Sequence, residues 1–281
     1  MKKHMLLAVV GFLALASDAY AERRTNSLAS DVAVRRRRLL VKKRFEVAPL
    51  FESTINADFR HIIGGGAKLE YHLSDMWSVG AIGVASTSIN TKLVDKIRPT
   101  LEAMTNDKTR EPSQDEFMDR LNTMPLHGAA YISLTPWYGK LAAFSQAFVA
   151  FDFYFQAGVS FAQLKSSCPM TVCSDTAPGQ SRPNPDGSGE TIPPDNNPNN
   201  DPPLNSGSRV GLYLGGGIHV FLNDFLALDM SVRDYAFTDN PSGADFNANL
   251  FVSDDDSRFL HHLFFGVGIS VMLPTTVKRT P

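Results

Sequence analysis

Cysteine is scarce in this chain, whose 281 residues include only Cys168 and Cys173. A zinc centre needs four ligands, and the stretch Lys165 to Ser174 adds no histidine to the pair, so a local metal knuckle is the less favoured reading. In an oxidising compartment the spacing instead suits a local Cys168–Cys173 disulfide. Long apolar runs are missing too. A membrane-spanning helix needs about 20 consecutive apolar residues. The run from Met5 to Ala16 is shorter than that, and every other apolar segment is broken by a charge or a glycine cluster. A chain of this kind enters a membrane as strands or not at all. Excess charge of one sign is also absent: 27 Lys and Arg stand against 29 Asp and Glu, for a net charge of −2. With 43% hydrophobic and 20% charged residues, composition alone decides little; the 19 Phe and 20 Gly suit crowded sheets.

The beginning of the chain carries an export pattern. Lys2 and Lys3 precede the short apolar run, and Ala19-Tyr20-Ala21 follows the small-x-small rule, so cleavage between Ala21 and Glu22 is expected rather than an uncleaved anchor. Residues 1–21 then form a signal peptide. Residues 22–43, with Arg35 to Arg38 in a row, read as a basic periplasmic tail suited to lipid headgroups or acidic neighbours. Nucleic acid is not expected as a partner after export.

The hairpin at 209 to 235 is the clearest structural signal. Leu226, Leu228, Met230 and Val232 alternate with Ala227, Asp229, Ser231 and Arg233, and Val210, Leu212, Leu214, Ile218 and Val220 alternate with Arg209, Tyr213, His219 and glycines. Side chains of a strand point to opposite faces with period two, so each arm has one oily and one polar face. Asn223-Asp224 supplies the turn. Comparable segments run from Arg44 to Ser53, Ile63 to Leu73, Trp77 to Thr87, Gly128 to Lys140, Val149 to Leu164, Arg209 to Leu222, Phe225 to Phe237 and Phe259 to Leu273. They predict an all-β fold, a closed antiparallel up-and-down transmembrane barrel of about eight strands over 44–274. Each is near or above the 9 to 11 residues that a tilted strand needs to cross a bilayer.

Connections after the second, fourth and sixth segments are short, and those after the odd segments are longer, as in outer-membrane barrels with periplasmic turns and outer loops. Two long outer loops are expected at 88–126 and 165–208. The first contains Leu93, Val94, Ile97, Leu101, Phe117, Met118 and Leu121 among charges, which predicts one or two short helices. The second, rich in Pro, Asn, Asp, Gly and Ser, cannot bury a core. Residues 275–281 form a C-terminal tail.

Charge on a lipid-facing strand position costs kilocalories at the midplane, so the polar faces must look inward. Glu46, Lys68, Glu70, Asp152, Asp229 and Arg233 are therefore candidates for an ion-pair network inside the barrel. A lumen of about eight strands is filled by its own side chains. Catalytic and cofactor motifs are not found. Gly64 to Gly66 and Gly215 to Gly217 lack phosphate-loop spacing. His261 and His262 point to opposite faces, Asp254 to Asp256 read as a solvated acidic turn, and no nucleophile, metal site or cofactor is nominated.

Particular residues carry a family likeness. Arg44-Phe45-Glu46 with Pro49, Tyr71-His72-Leu73, Pro136-Trp137-Tyr138-Gly139-Lys140, Phe151-Asp152, Gly215 to Gly217 followed by Phe221-Leu222-Asn223-Asp224, and Arg233-Asp234-Tyr235 resemble the outer membrane beta-barrel domain family of myxobacteria and related bacteria. The likeness spans about Lys43 to Pro274. It implies a small outer-membrane barrel and brings no agreed activity and no catalytic residues. The final strand ends Val271-Met272-Leu273-Pro274 and lacks the terminal aromatic common among such proteins.

The expectation is a monomeric, non-catalytic barrel of the bacterial outer membrane with a structural or surface-interaction role. Its partners would be outer-membrane lipid, the barrel-assembly machinery and a surface partner met through the long loops. A narrow pore or gated channel for small solutes is the alternative from a transport class, and a lipid-modifying barrel enzyme is a further one.

Overall fold

The computed structural model describes residues 41–101, 114–143, 147–166, 182–183, 191–192, 206–244, 246 and 256–275. The expected cleavage site at Ala21 and Glu22, the tail up to residue 40, Cys168 and Cys173, and the C-terminal residues 276–281 lie outside them.

Eight antiparallel strands close into one barrel: β1 (Phe45–Thr54), β2 (Arg60–His72), β3 (Trp77–Asn90), β4 (Thr123–Ala143), β5 (Ala147–Lys165), β8 (Gly207–Phe221), β9 (Leu226–Asp239) and β10 (Arg258–Leu273). A separate two-residue ladder joins β6 (Arg182–Pro183) to β7 (Thr191–Ile192). Barrel neighbours follow chain order, and β1 pairs with β10 to close the ring, Phe45 opposite Leu273 and Thr54 opposite Phe264. No barrel edge is left unpaired, so the backbone groups of every barrel strand are satisfied between strands.

Local chemistry explains the turns and irregularities. Between β8 and β9 the side-chain Oδ1 of Asn223 accepts the backbone N–H groups of Phe225 (2.9 Å) and Leu226 (2.7 Å). Between β2 and β3 the Ser74 hydroxyl does the same for Met76 and Trp77. Proline cannot donate to a ladder. Pro136 accordingly sits in the register shift between Leu134 and Trp137, and pairing of β1 with β10 skips Ala48 and Pro49.

Several strands run further than their hydrophobic pattern suggests. Ser88, Ile89 and Asn90 still pair with Ile62, His61 and Arg60, and Thr123 pairs with Lys165, so the first long loop spans 91–122 and not 88–126. Likewise Lys165, Gly207 and Ser208 belong to strands, which trims the second loop on both sides. Backbone hydrogen bonding to a neighbour extends these ends although most of their side chains are polar.

The first long loop carries two short helices, α1 (Lys92–Ile97) and α2 (Gln114–Arg120), with a 3-10 turn at Arg98–Thr100. Val94, Phe117 and Leu121 pack together with Phe59, Ile97, Leu101 and Met118 around them. This small core ties the loop to the β1–β2 turn, where the Thr91 hydroxyl donates to the Asp58 carbonyl at 2.6 Å and the Thr91 N–H to the Phe59 carbonyl at 3.0 Å.

Candidate functional site

Alternation sorts every barrel strand into an inward and an outward row, as the burial of every second residue along β1 shows. The outward row is apolar over most of the wall: Phe51, Leu69, Val79, Ile132, Phe153, Phe155, Leu212, Leu214, Val232 and Val267 are all exposed. Its charged or imidazole members among the described residues are His61, Lys165, Asp234 and His261, all in the loop-end half of their strands. Aromatic residues gather at the opposite rim, where Phe45, Trp77 and Trp137 face out and the Phe45 ring packs on Tyr71 with centroids 4.7 Å apart.

The inward row has the reverse chemistry. Glu46, Lys68, Glu70, Asp152, Asp229 and Arg233 are all buried, each from an alternate position of its strand. Lys68 sits among them with Nζ 2.7 Å from Glu46 Oε1, 2.7 Å from Asp229 Oδ2 and 5.1 Å from the centre of the Tyr154 ring. Glu46 also accepts from His72 Nε2 at 3.1 Å and from the Ser270 hydroxyl at 2.6 Å. His219 links Glu46 to Asp152, whose Oδ1 lies 2.8 Å from its Nδ1. From Asp229 the chain continues to Arg233, which donates to Glu52 Oε2 at 3.0 Å, and Glu52 in turn meets His127. Glu70 stands beside this chain and accepts from Ser78, from the Tyr131 hydroxyl at 3.0 Å and from Gln156.

Burying charge is tolerable only when it is paired and hydrogen-bonded. Five carboxylates here (Glu46, Glu52, Glu70, Asp152, Asp229) exceed the two full cations (Lys68, Arg233) by three, and three histidines (His72, His127, His219) each rest on one of those carboxylates. Aromatic rings seal the lumen toward the loop end. Tyr131 packs on Tyr213, Tyr213 on Tyr235 and Tyr235 on Phe264, with centroids 5.5, 5.3 and 5.4 Å apart. Among the described residues the lumen is lined by paired polar side chains and these stacked rings.

Among the described residues, two groups of side chains have metal-compatible donors within 4.8 Å of one another: Glu46, Glu70 and His72, and Glu46, His219 and Asp229. In the second group the cation position is taken by the Lys68 ammonium. His261 and His262 diverge, His261 to Asp234 outside and His262 to Asp239 inside, so no joint site forms.

Glu52 and His127 escaped the sequence reading. Glu52 lies on the same alternate row as Glu46 and was legible by parity. His127 precedes the expected start of its strand at Gly128, so no face was assigned to it. That Glu52 and His127 meet is a matter of closure, since β1 and β4 are not neighbours.

No protein-family model matches the chain, and no curated protein matches it. Among solved structures the chain is similar to the N-terminal β-barrel domain of OprF from Pseudomonas aeruginosa, with 7% identity, a TM-score of 0.39 and coverage of 83% of this chain and 98% of that one. It is also similar to the outer membrane protein OprG from the same organism (10% identity, TM-score 0.38, 83% and 96% covered). A third is Ail, the attachment invasion locus protein of Yersinia pestis (9% identity, TM-score 0.33, 83% and 99% covered). At these identities the likeness is one of fold.

Proposed function

We propose that this chain is an integral outer-membrane β-barrel protein with a structural or surface-interaction role and no catalytic one, related to the myxobacterial outer-membrane barrel domains that its strand starts resemble. One observation carries this reading: the outward row of a closed barrel is apolar over most of its height, while the charges collect inside. In water that distribution exposes a continuous oily wall far beyond the few hundred Å² usual for soluble monomers. In a bilayer it matches the solvent on both sides of the sheet. Trp77 and Trp137 at the turn-end rim then lie where interfacial aromatics concentrate. The short turns would face the periplasm and the long loops the exterior, where their length suits contact with a surface partner. Lipid and the barrel-assembly machinery are the partners this reading requires.

Fractionation combined with a heat-modifiability gel tests it. Recovery in the outer-membrane fraction, with boiled and unboiled samples migrating differently, is expected. Recovery of the folded chain in the soluble fraction would overturn it.

A further inference from the structure

The loop end of the barrel holds a cavity of about 320 Å³ at the β1–β2 turn. Its walls come from the β1–β2 turn and the loop ends of β4, β5, β9 and β10, and they are largely apolar: Phe59, Ile62, Met124, Leu164 and Leu260. A volume of that size is at the small end of pockets for organic ligands, about 300–1,000 Å³.

The polar groups lining it differ in how they are satisfied. Asp239 accepts from Asn122 Nδ2 at 2.6 Å, from the Asn240 N–H at 2.8 Å and from His262 Nε2 at 3.2 Å. The other ring nitrogen of His262 lies 3.1 Å from the Tyr235 carbonyl. Both ring nitrogens of His262 thus lie against oxygen atoms of the protein. Asp58 is exposed at the rim. Arg60 is the exception. Its Nη2 donates to the Met118 carbonyl at 3.3 Å, its Nε is buried without an acceptor, and among the described residues no carboxylate forms an ion pair with it. A half-buried guanidinium held only by a neutral carbonyl is costly, and departures of this kind from local satisfaction concentrate where a ligand completes the site.

We propose that this mouth binds a small organic monoanion, a carboxylate on a short apolar chain. The guanidinium donors that Met118 leaves free take the carboxylate, and the chain lies against Phe59, Met124 and Leu260. Guanidinium and carboxylate match as a planar fork, which a lone ammonium does not. The site lies at the loop-end mouth and needs no passage through the packed lumen. It would be present whether or not a bilayer surrounds the wall, so its failure and failure of the membrane reading are separable.

The test uses the full chain in nanodiscs, titrated with carbon-13-labelled hexanoate and observed by NMR, with hexylamine and hexanol as competitors. Saturable hexanoate binding that hexylamine does not displace is expected. Arg60→Gln should weaken it about tenfold or more, the loss of a charge-assisted contact, while Arg60→Lys should retain part of it. Leu260→Trp should block it by filling the cavity. The heat-modified gel shift verifies that each variant is folded, and folded Arg60→Lys keeps the comparison open if Arg60→Gln does not fold. Parent protein without saturable binding, Arg60→Gln binding like the parent, or hexylamine competing as well as hexanoate itself would overturn the proposal.

Discussion

Lys68 on β2 and Asp229 on β9 meet across the lumen, Nζ to Oδ2 at 2.7 Å, although three steps around the barrel separate their strands. The contact holds both walls to one point, and Glu46 shares the same ammonium. Removing one partner of a buried pair leaves the other charge uncompensated, at a cost of about 3–5 kcal/mol. Lys68→Met is expected to destabilise the barrel by that amount in urea unfolding followed by tryptophan fluorescence. Adding Asp229→Asn should recover part of the loss. A Lys68→Met barrel as stable as the parent would show that the pair contributes little.

Two adjacent glycines should respond differently to the same substitution. A Cβ on Gly217 would come within 2.5 Å of both the Met230 carbonyl and the Tyr154 hydroxyl, whereas a Cβ on Gly216 meets nothing nearer than 3.5 Å. Overpacking of a filled interior costs about 1–3 kcal/mol. Gly217→Ala should therefore lower the unfolding midpoint, and Gly216→Ala should leave it nearly unchanged. The comparison is internal, since both variants carry the same added methyl group.

Depth along the outward row offers a direct check on the surrounding solvent. Leu214 lies well inside β8 and is exposed, while Ser208 lies on the same row at the loop end. Arginine on the lipid face costs about 2–4 kcal/mol at the midplane and 0–1 near the interface. In reconstituted barrels Leu214→Arg should be strongly destabilising and Ser208→Arg nearly neutral. Equal, small effects at both positions would indicate water outside the wall.

Arg233 fills the lumen between Asp229 and Glu52 and is among the largest fully buried side chains. With it in place, the purified protein in a planar bilayer is expected to pass no steady current. Arg233→Ala removes bulk and one cation from an acid-rich lumen, so brief cation-selective openings should follow. Steady current through the parent protein would show that the packed lumen opens.

Much of this fold is legible in the chain because a strand's side-chain period is fixed by covalent geometry. Alternation from Leu226 to Arg233 therefore assigns Asp229 and Arg233 to one face before any neighbour is known, and the same parity places Glu46, Lys68 and Asp152. Asn223 and Ser74 mark turns because their side chains bond the backbone two or three residues on. Strand ends are less legible: Ser88 to Asn90 and Thr123 belong to strands through hydrogen bonds to partners, which side-chain patterning does not record.

Period two decides which side chains share the lumen, and it says nothing about which of them touch. Lys68 reaches Asp229 and His127 reaches Glu52 because closure of β1 on β10, together with the stagger of eight strands, sets the height of each residue on its wall. The uncompensated Arg60 arises in the same way. Its sequence neighbours include Asp58, and only the closed barrel with its helical loop leaves that guanidinium on a cavity with a carbonyl for its acceptor. Local covalent geometry determined the two faces, and long-range pairing decided the contacts across one of them.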